Sequence, residues 1–221
     1  MKLIRRSSGW RAMALVAVAA LAADAAWAAE TVYQNDFEKA ELDQVPADFL
    51  VLEGGFAVKA AEGNKFLELP GAPLDTFGVL FGPTEKSGLC VSARIHGTAR
   101  GRRAPAFGVG LNGVGGYRLQ VSAQKKQLEI VKDGEVSASV SYAWESDAWT
   151  TLKLQIRAEG DGFVVEGKAW KQGAPEPAGW LIKQKVAGEL VPGRASVWGN
   201  PFAGTPIRFD DLAITRASAG P

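Results

Sequence analysis

The sequence predicts an all-β protein, an antiparallel two-sheet jelly-roll sandwich, on three observations. Apolar and polar residues alternate with period two in run after run, the spacing of strands with one buried face. The runs recur roughly every 8 to 12 residues and end in Gly, Pro, Asn or Asp, as in sandwiches and barrels. Beyond residue 28 no stretch keeps a 3.6-residue apolar period for three turns, and the helix-friendly piece at 38–42 is too short to stand alone.

Fifteen runs follow one another. The first five, at 31–38, 49–53, 56–60, 66–69 and 78–81, are short and rich in Phe. In 89–96, Leu89, Val91, Ala93 and Ile95 alternate with Cys90, Arg94 and His96. After 106–111 comes 117–122, where Tyr117, Leu119 and Val121 share one face and Arg118, Gln120 and Ser122 the other. Runs 127–132 and 136–141 flank Asp133-Gly134, a pair suited to a two-residue hairpin turn because both tolerate positive φ. In 150–157 the inward residues are Leu152, Leu154 and Ile156, and Trp149 is read with the core. The last four runs are 163–171, 180–186, 195–198 and 207–215. Fifteen strands are too many for a seven-stranded immunoglobulin domain. No internal linker is visible, so 29–221 is expected to be one domain.

The first 28 residues read as an export signal. Lys2, Arg5, Arg6 and Arg11 precede an apolar run at 12–23 and the small-x-small site Ala26-Trp27-Ala28. That run is shorter than the roughly 20 residues of a membrane-spanning helix, so no stable span is expected after cleavage. Ser7-Ser8-Gly9 behind Arg5-Arg6 favours the general secretory over the twin-arginine route, and no Cys stands at the cleavage site for a lipid anchor. The chain is therefore expected to be periplasmic or extracellular.

Charge and the rare residues narrow the chemistry. The chain has 25 Lys+Arg and 24 Asp+Glu; without 1–28 it loses four basic residues and one acidic, leaving a net charge of −2. That balance lacks the positive field a nucleic-acid partner requires. Cys90 is the only cysteine, so no intrachain disulfide forms, and its place in an alternating strand suits an inert thiol. His96 is the only histidine, which excludes a three-His metal site, and neither a zinc spacing nor a Gly-x-Ser-x-Gly elbow is present. Gly108-Val-Gly-Leu-Asn-Gly113 has the letters of a dinucleotide loop, but a strand rather than a helix follows it. Asn112-Gly113 reads better as a turn, and Gly108 and Gly110 as points of close approach. His96 and the basic turn at 98–103, with Arg102, are either a solvated loop or a contact for an anionic group.

Three segments carry a resemblance. They are Asn35-Asp-Phe-Glu38 with Pro46-Ala-Asp-Phe49; Trp149-Thr-Thr-Leu-Lys-Leu-Gln-Ile-Arg157 with 168–180; and Gly193-Arg-Ala-Ser-Val-Trp-Gly199 with Ile207-Arg-Phe-Asp-Asp-Leu-Ala-Ile214. Together they resemble the secreted bacterial branch of the concanavalin A-like lectin/glucanase superfamily, which includes laminin-G-like modules and the 3-keto-disaccharide hydrolase-type domain. The end motifs also occur in jelly-roll carbohydrate-binding modules. In a jelly roll the first and last strands lie side by side, so Asp36 and Glu38 could approach Asp210. Carboxylates at a sheet edge suit Ca²⁺, which takes about 6–8 oxygen ligands. The resembling modules hold a structural calcium there, which makes Asp36, Glu38 and Asp210 its candidate ligands. The alternative is that one of Asp210 and Asp211 turns inward and accepts backbone N–H groups while the other is solvated.

Laminarinase-type glycosidases place Glu-x-Asp-x-x-Glu on one strand, and retaining hydrolysis needs two carboxyls about 5–5.5 Å apart. Only Glu41-Leu-Asp43 approaches that pattern; it lacks the third acid and runs into Pro46, so it reads as a loop. Trp144, Trp170, Trp180 and Trp198 lie near turns, where flat rings can meet sugar C–H faces while polar neighbours satisfy hydroxyls. With His96 and Arg102 they are the candidate ligand contacts, against the alternative of ordinary core or edge packing. The reading is an exported, non-catalytic binding module with carbohydrate as its partner and Ca²⁺ as a candidate structural cofactor. The alternatives are a glycoside hydrolase like the 3-keto-disaccharide hydrolase-type domain, or a structural cell-envelope protein.

Overall fold

The computed structural model describes residues 30–71 and 75–217; the signal read at 1–28 lies outside the described residues. The strands are β1 (Thr31–Asn35), β2 (Leu50–Glu53), β3 (Ala57–Ala61), β4 (Asn64–Leu69), β5 (Phe77–Glu85), β6 (Leu89–Gly97), β7 (Ala106–Leu111) and β8 (Tyr117–Ser122). They continue with β9 (Gln127–Lys132), β10 (Glu135–Ser141), β11 (Ala148–Glu159), β12 (Gly162–Lys171), β13 (Ile182–Ala187), β14 (Gly193–Asn200) and β15 (Ile207–Arg216). All fifteen expected runs are strands, with ends moved by a few residues. The stretch 38–42 forms turns, and the helical turn at Ala123–Lys125 is a single 3₁₀ turn closed by Lys126 in the left-handed region. No helix among the described residues is long and apolar enough to cross a membrane.

Two antiparallel sheets pack face to face as a jelly-roll sandwich. One has seven strands in the order β10-β9-β8-β7-β14-β5-β2. The other has eight, in the order β13-β12-β11-β6-β15-β4-β3, with β1 also on β15. Alternation decides what lies between them: Val109, Leu119, Ile130 and Val197 from the first sheet meet Val91, Ile95, Leu152, Leu154 and Phe209 from the second, all at most 1% exposed. Each such side chain contributes roughly 1.5–3 kcal/mol by burial. Cys90 is buried, and burial pushes its thiol up to about 11, consistent with an inert group.

β15 ties the two ends of the chain together. Ile207–Phe209 pairs with β4, and Leu212–Thr215 pairs with β1, so one strand edge serves two partners. The register against β6 shifts between Asp210 and Ala213, and Asp211 has φ +47°. This bulge inserts an extra residue, which is why Phe209 and Leu212 both point into the core although three positions apart.

Trp149 is a correction. Counting outward from Leu152 and Leu154, alternation places it with Thr151 and Lys153 on the outer face of the eight-stranded sheet. There it is half-buried against His96, with ring centroids 5.4 Å apart.

The same outer face holds a buried carboxylate. Glu166 is 1% exposed and receives Gln155 Nε2 at 3.0 Å, with Lys183 Nζ at 2.9 Å and Arg157 Nε at 3.2 Å. Burial pushes its pKa up, but the hydrogen bonds from Lys183 and Arg157 outweigh it and hold the group below its ordinary 4.5. A depressed native carboxylate stabilises the fold above its unfolded pKa, and that stability is lost as pH falls through the native value. Glu159, held by Lys185, and Glu176, held by Lys168 against its burial, shift the same way. Glu166→Gln is expected to flatten, without abolishing, the fall in the urea midpoint between about pH 5 and 3. A variant with the parent's slope would show that Glu166 is not one of the groups responsible.

Candidate functional site

The inward positions Ala195 and Val197 of β14 force Ser196, Trp198 and Asn200 onto the outer face of the seven-stranded sheet. Trp198 stands opposite Gly78 of β5 and Gly108 of β7, and Ser196 opposite Gly110. These glycines form a floor. A Cβ on Gly78 would lie 2.5 Å from Trp198 Cε3, and one on Gly110 would lie 2.5 Å from Ser196 Oγ and 3.3 Å from Trp198 Nε1. The indole therefore reaches across three strands into space that only glycine leaves open. Its Nε1–H donates to Ser196 Oγ at 2.8 Å. Beside it, Asn200 Nδ2 donates to Thr76 Oγ1.

Arg118 comes from the polar face of β8 and lies over this indole, its guanidinium carbon 5.1 Å from the ring centroid. Its Nε is buried and has no hydrogen-bond partner among the described residues. Burial lowers its pKa, and the charge of Glu129 partly offsets that. Glu129 is 1% exposed and already engaged: Gln120 Nε2 donates to Oε2 at 3.2 Å, and Lys125 Nζ lies 3.1 Å from Oε1.

Trp198, Arg118, Thr76 and Val131 line a groove of about 260 Å³, walled by the 113–116 turn and the Asp133-Gly134 hairpin. Positive φ at Asn112, Gly113, Asp133 and Gly134 fixes both turns. Asn112 Nδ2 also ties the first of them to Lys86 O (2.7 Å) and Val191 O (2.9 Å). The groove lies just under the roughly 300–1,000 Å³ of pockets for drug-sized ligands, which suits one small polar unit or the end of a chain. Asp133 is its one carboxylate-bearing lining residue.

The opposite face offers a wider groove of about 540 Å³ over His96, Trp149 and Arg208. Its polar groups largely answer one another: Lys171 Nζ meets Glu145 at 2.7 Å and His96 Nε2 meets Asp147 at 3.4 Å. Burial and the Arg208 charge hold His96 below its ordinary value, and Asp147 pulls the other way.

Of the expected ligand contacts, Trp198 lines the smaller groove and His96 the wider one. Trp144 packs edge-on against Phe107 (5.9 Å). Trp170 sits across from Thr151 on the eight-stranded sheet, and Lys168 lies 4.8 Å over Trp180. Arg102 is exposed in the turn closed by Arg100 and Arg103. These side chains do not converge on one site. The expected calcium ligands are also engaged separately. Asp210 accepts Arg94 Nη2 (2.8 Å) and Asn64 Nδ2 (2.9 Å), Glu38 accepts Lys65 N–H (2.9 Å), and Asp36 accepts Glu38 N–H (3.2 Å). Among the described residues no group of three or more His, Cys, Asp or Glu is arranged to hold a metal ion. Arg94 supplies the cation at Asp210, whose carboxyl is raised by burial. Arg118, Gly78 and Gly110 went unrecognised as a unit; the glycines at strand positions were the one usable signal.

No protein-family model matches the sequence, and no curated protein sequence matches it. Solved structures do. A Bacillus subtilis protein with a galectin-like fold aligns with a TM-score of 0.61 at 14% identity, over 86% of this chain and 98% of its own. The Emp47p carbohydrate recognition domain aligns at 0.60 with 11% identity, covering 86% and 97%. The carbohydrate-binding module CBM66 from Bacillus subtilis aligns at 0.55 with 14% identity, covering 76% and 95%. At these identities the likeness establishes the fold, a galectin-like jelly-roll sandwich.

Proposed function

We propose that this protein is an exported, non-catalytic carbohydrate-binding module whose site is the groove at Trp198 and Arg118. The observation that carries the reading is the Arg118 guanidinium lying over Trp198 on its glycine floor. It offers an apolar ring, planar N–H donors and preformed walls, the mixture that suits a polyhydroxylated ligand with C–H faces. A single lining carboxylate supports binding over hydrolysis, which needs two cooperating carboxyls. The carbohydrate-binding module and recognition domain among the similar structures support the same class of partner.

The test is a glycan array probed with the purified protein, followed by a reducing-end assay on every saccharide it retains. Retention without release of reducing ends is expected. Release that disappears on substituting one carboxylate would establish the hydrolase instead. Failure to retain any saccharide, with a specific protein captured from the cell envelope, would favour the structural reading.

A further inference from the structure

We infer that the saccharide held in this groove is acidic, a uronic acid whose carboxylate is received by Arg118; this rests on the carbohydrate reading above. Other strand-borne arginines have partners: Arg94 meets Asp210 at 2.8 Å, Arg157 meets Glu166 at 3.2 Å and Arg208 meets Glu68 at 3.1 Å, while Arg194 donates to the backbone carbonyls of Gly82 and Asp48. Arg118 differs. Its Nε is buried without an acceptor, and the carboxylate acting on it, Glu129, is bound by Lys125 and Gln120. Asp133 in the groove wall is in turn paired with Lys132, at 3.2 Å. Arg118 thus has no carboxylate at ion-pair distance among the described residues and is partly withdrawn from water, and such a group is costly unless a partner arrives.

The Trp198 ring, its centroid 5.1 Å from the guanidinium carbon, gives Arg118 a flat surface to rest on, and the guanidinium fork itself matches the bidentate geometry of a carboxylate. Neutral hydroxyls would satisfy the donors but leave the charge unanswered. Charge-assisted hydrogen bonds are roughly twice as strong as neutral ones, so the preference for an acidic sugar should be large.

The experiment is calorimetric titration with oligogalacturonate and oligoglucuronate, their neutral counterparts of equal length, and sulfated oligosaccharides. A uronate is expected to bind at least about tenfold tighter than its neutral counterpart. Arg118→Gln should bring uronate affinity down to the neutral level. Arg118→Lys should restore only part of it, because an ammonium lacks the fork. Thermal midpoints of both variants near the parent's would confirm that the fold is intact. Equal affinity for uronate and neutral sugar in the parent overturns the inference but leaves carbohydrate binding standing. A preference that survives Arg118→Gln, or one confined to sulfated sugars, overturns it as well. Binding of no saccharide removes both readings together.

Discussion

Trp198→Ala is expected to weaken saccharide binding about 30-fold or more, the roughly 2 kcal/mol that marks a hot-spot residue. The indole performs three tasks that one substitution removes. It covers Gly78 and lays its pyrrole edge toward Gly110, it bonds Ser196 Oγ, and it supports the Arg118 guanidinium. Without it the floor becomes a hollow, and Arg118 loses the surface it rests on. Because Trp198 is only half-buried on an outer face, the sandwich should keep its melting temperature within a few degrees. Trp198→Phe should retain part of the affinity by keeping a flat ring. Gly78→Val is the complementary test: it leaves every groove side chain chemically unchanged but places atoms within 2.5 Å of the indole's present position. It should weaken binding by displacing the platform. Titration with the best array ligand, alongside thermal melting, checks the series. Full affinity in Trp198→Ala would move the site elsewhere.

Phe209→Ala is expected to destabilise the fold by about 3–5 kcal/mol. The ring is fully buried, lies 6.1 Å from Phe56, and sits between Ile95 of β6 and Leu67 of β4 in the register. It also crosses to the other sheet: a Cβ on Gly199 would lie 3.4 Å from Phe209 Cζ. Its loss opens a cavity between the sheets next to the bulge that lets β15 serve both β4 and β1. For a chain of this size the thermal midpoint should fall by roughly 6–20 °C, with Phe209→Leu recovering much of it. A loss below about 1 kcal/mol would mean that the surroundings collapse to fill the space.

Much of the fold was legible because strand alternation is a local signal. Tyr117, Leu119 and Val121 declare their face within six residues, and Asp133-Gly134 declares a turn within two. The departures lie where the two-residue period has to be counted from a distant core residue or is broken. Trp149, at the start of an apolar strand, reads as core, but alternation from Leu152 places it with Thr151, outside. At Asp210 and Asp211 the bulge breaks the two-residue period: Asp210 turns inward, accepts the Asp211 N–H and meets Arg94 on β6, as the alternative to a calcium ligand expects. The site was only partly legible. Trp198 was a candidate for its ring, and Gly108 and Gly110 for close approach, but nothing in the linear order joins Arg118 to Trp198.

Composition and alternation by themselves determined which residues form strands and which side of each strand is apolar, because those properties depend on neighbours one or two positions away. The tertiary structure alone decided which outward residues share a surface. The order β8-β7-β14-β5 brings Arg118, Gly110, Trp198 and Gly78 together from four strands. That order is set by long-range pairing, and a period-two pattern fits many pairings equally well.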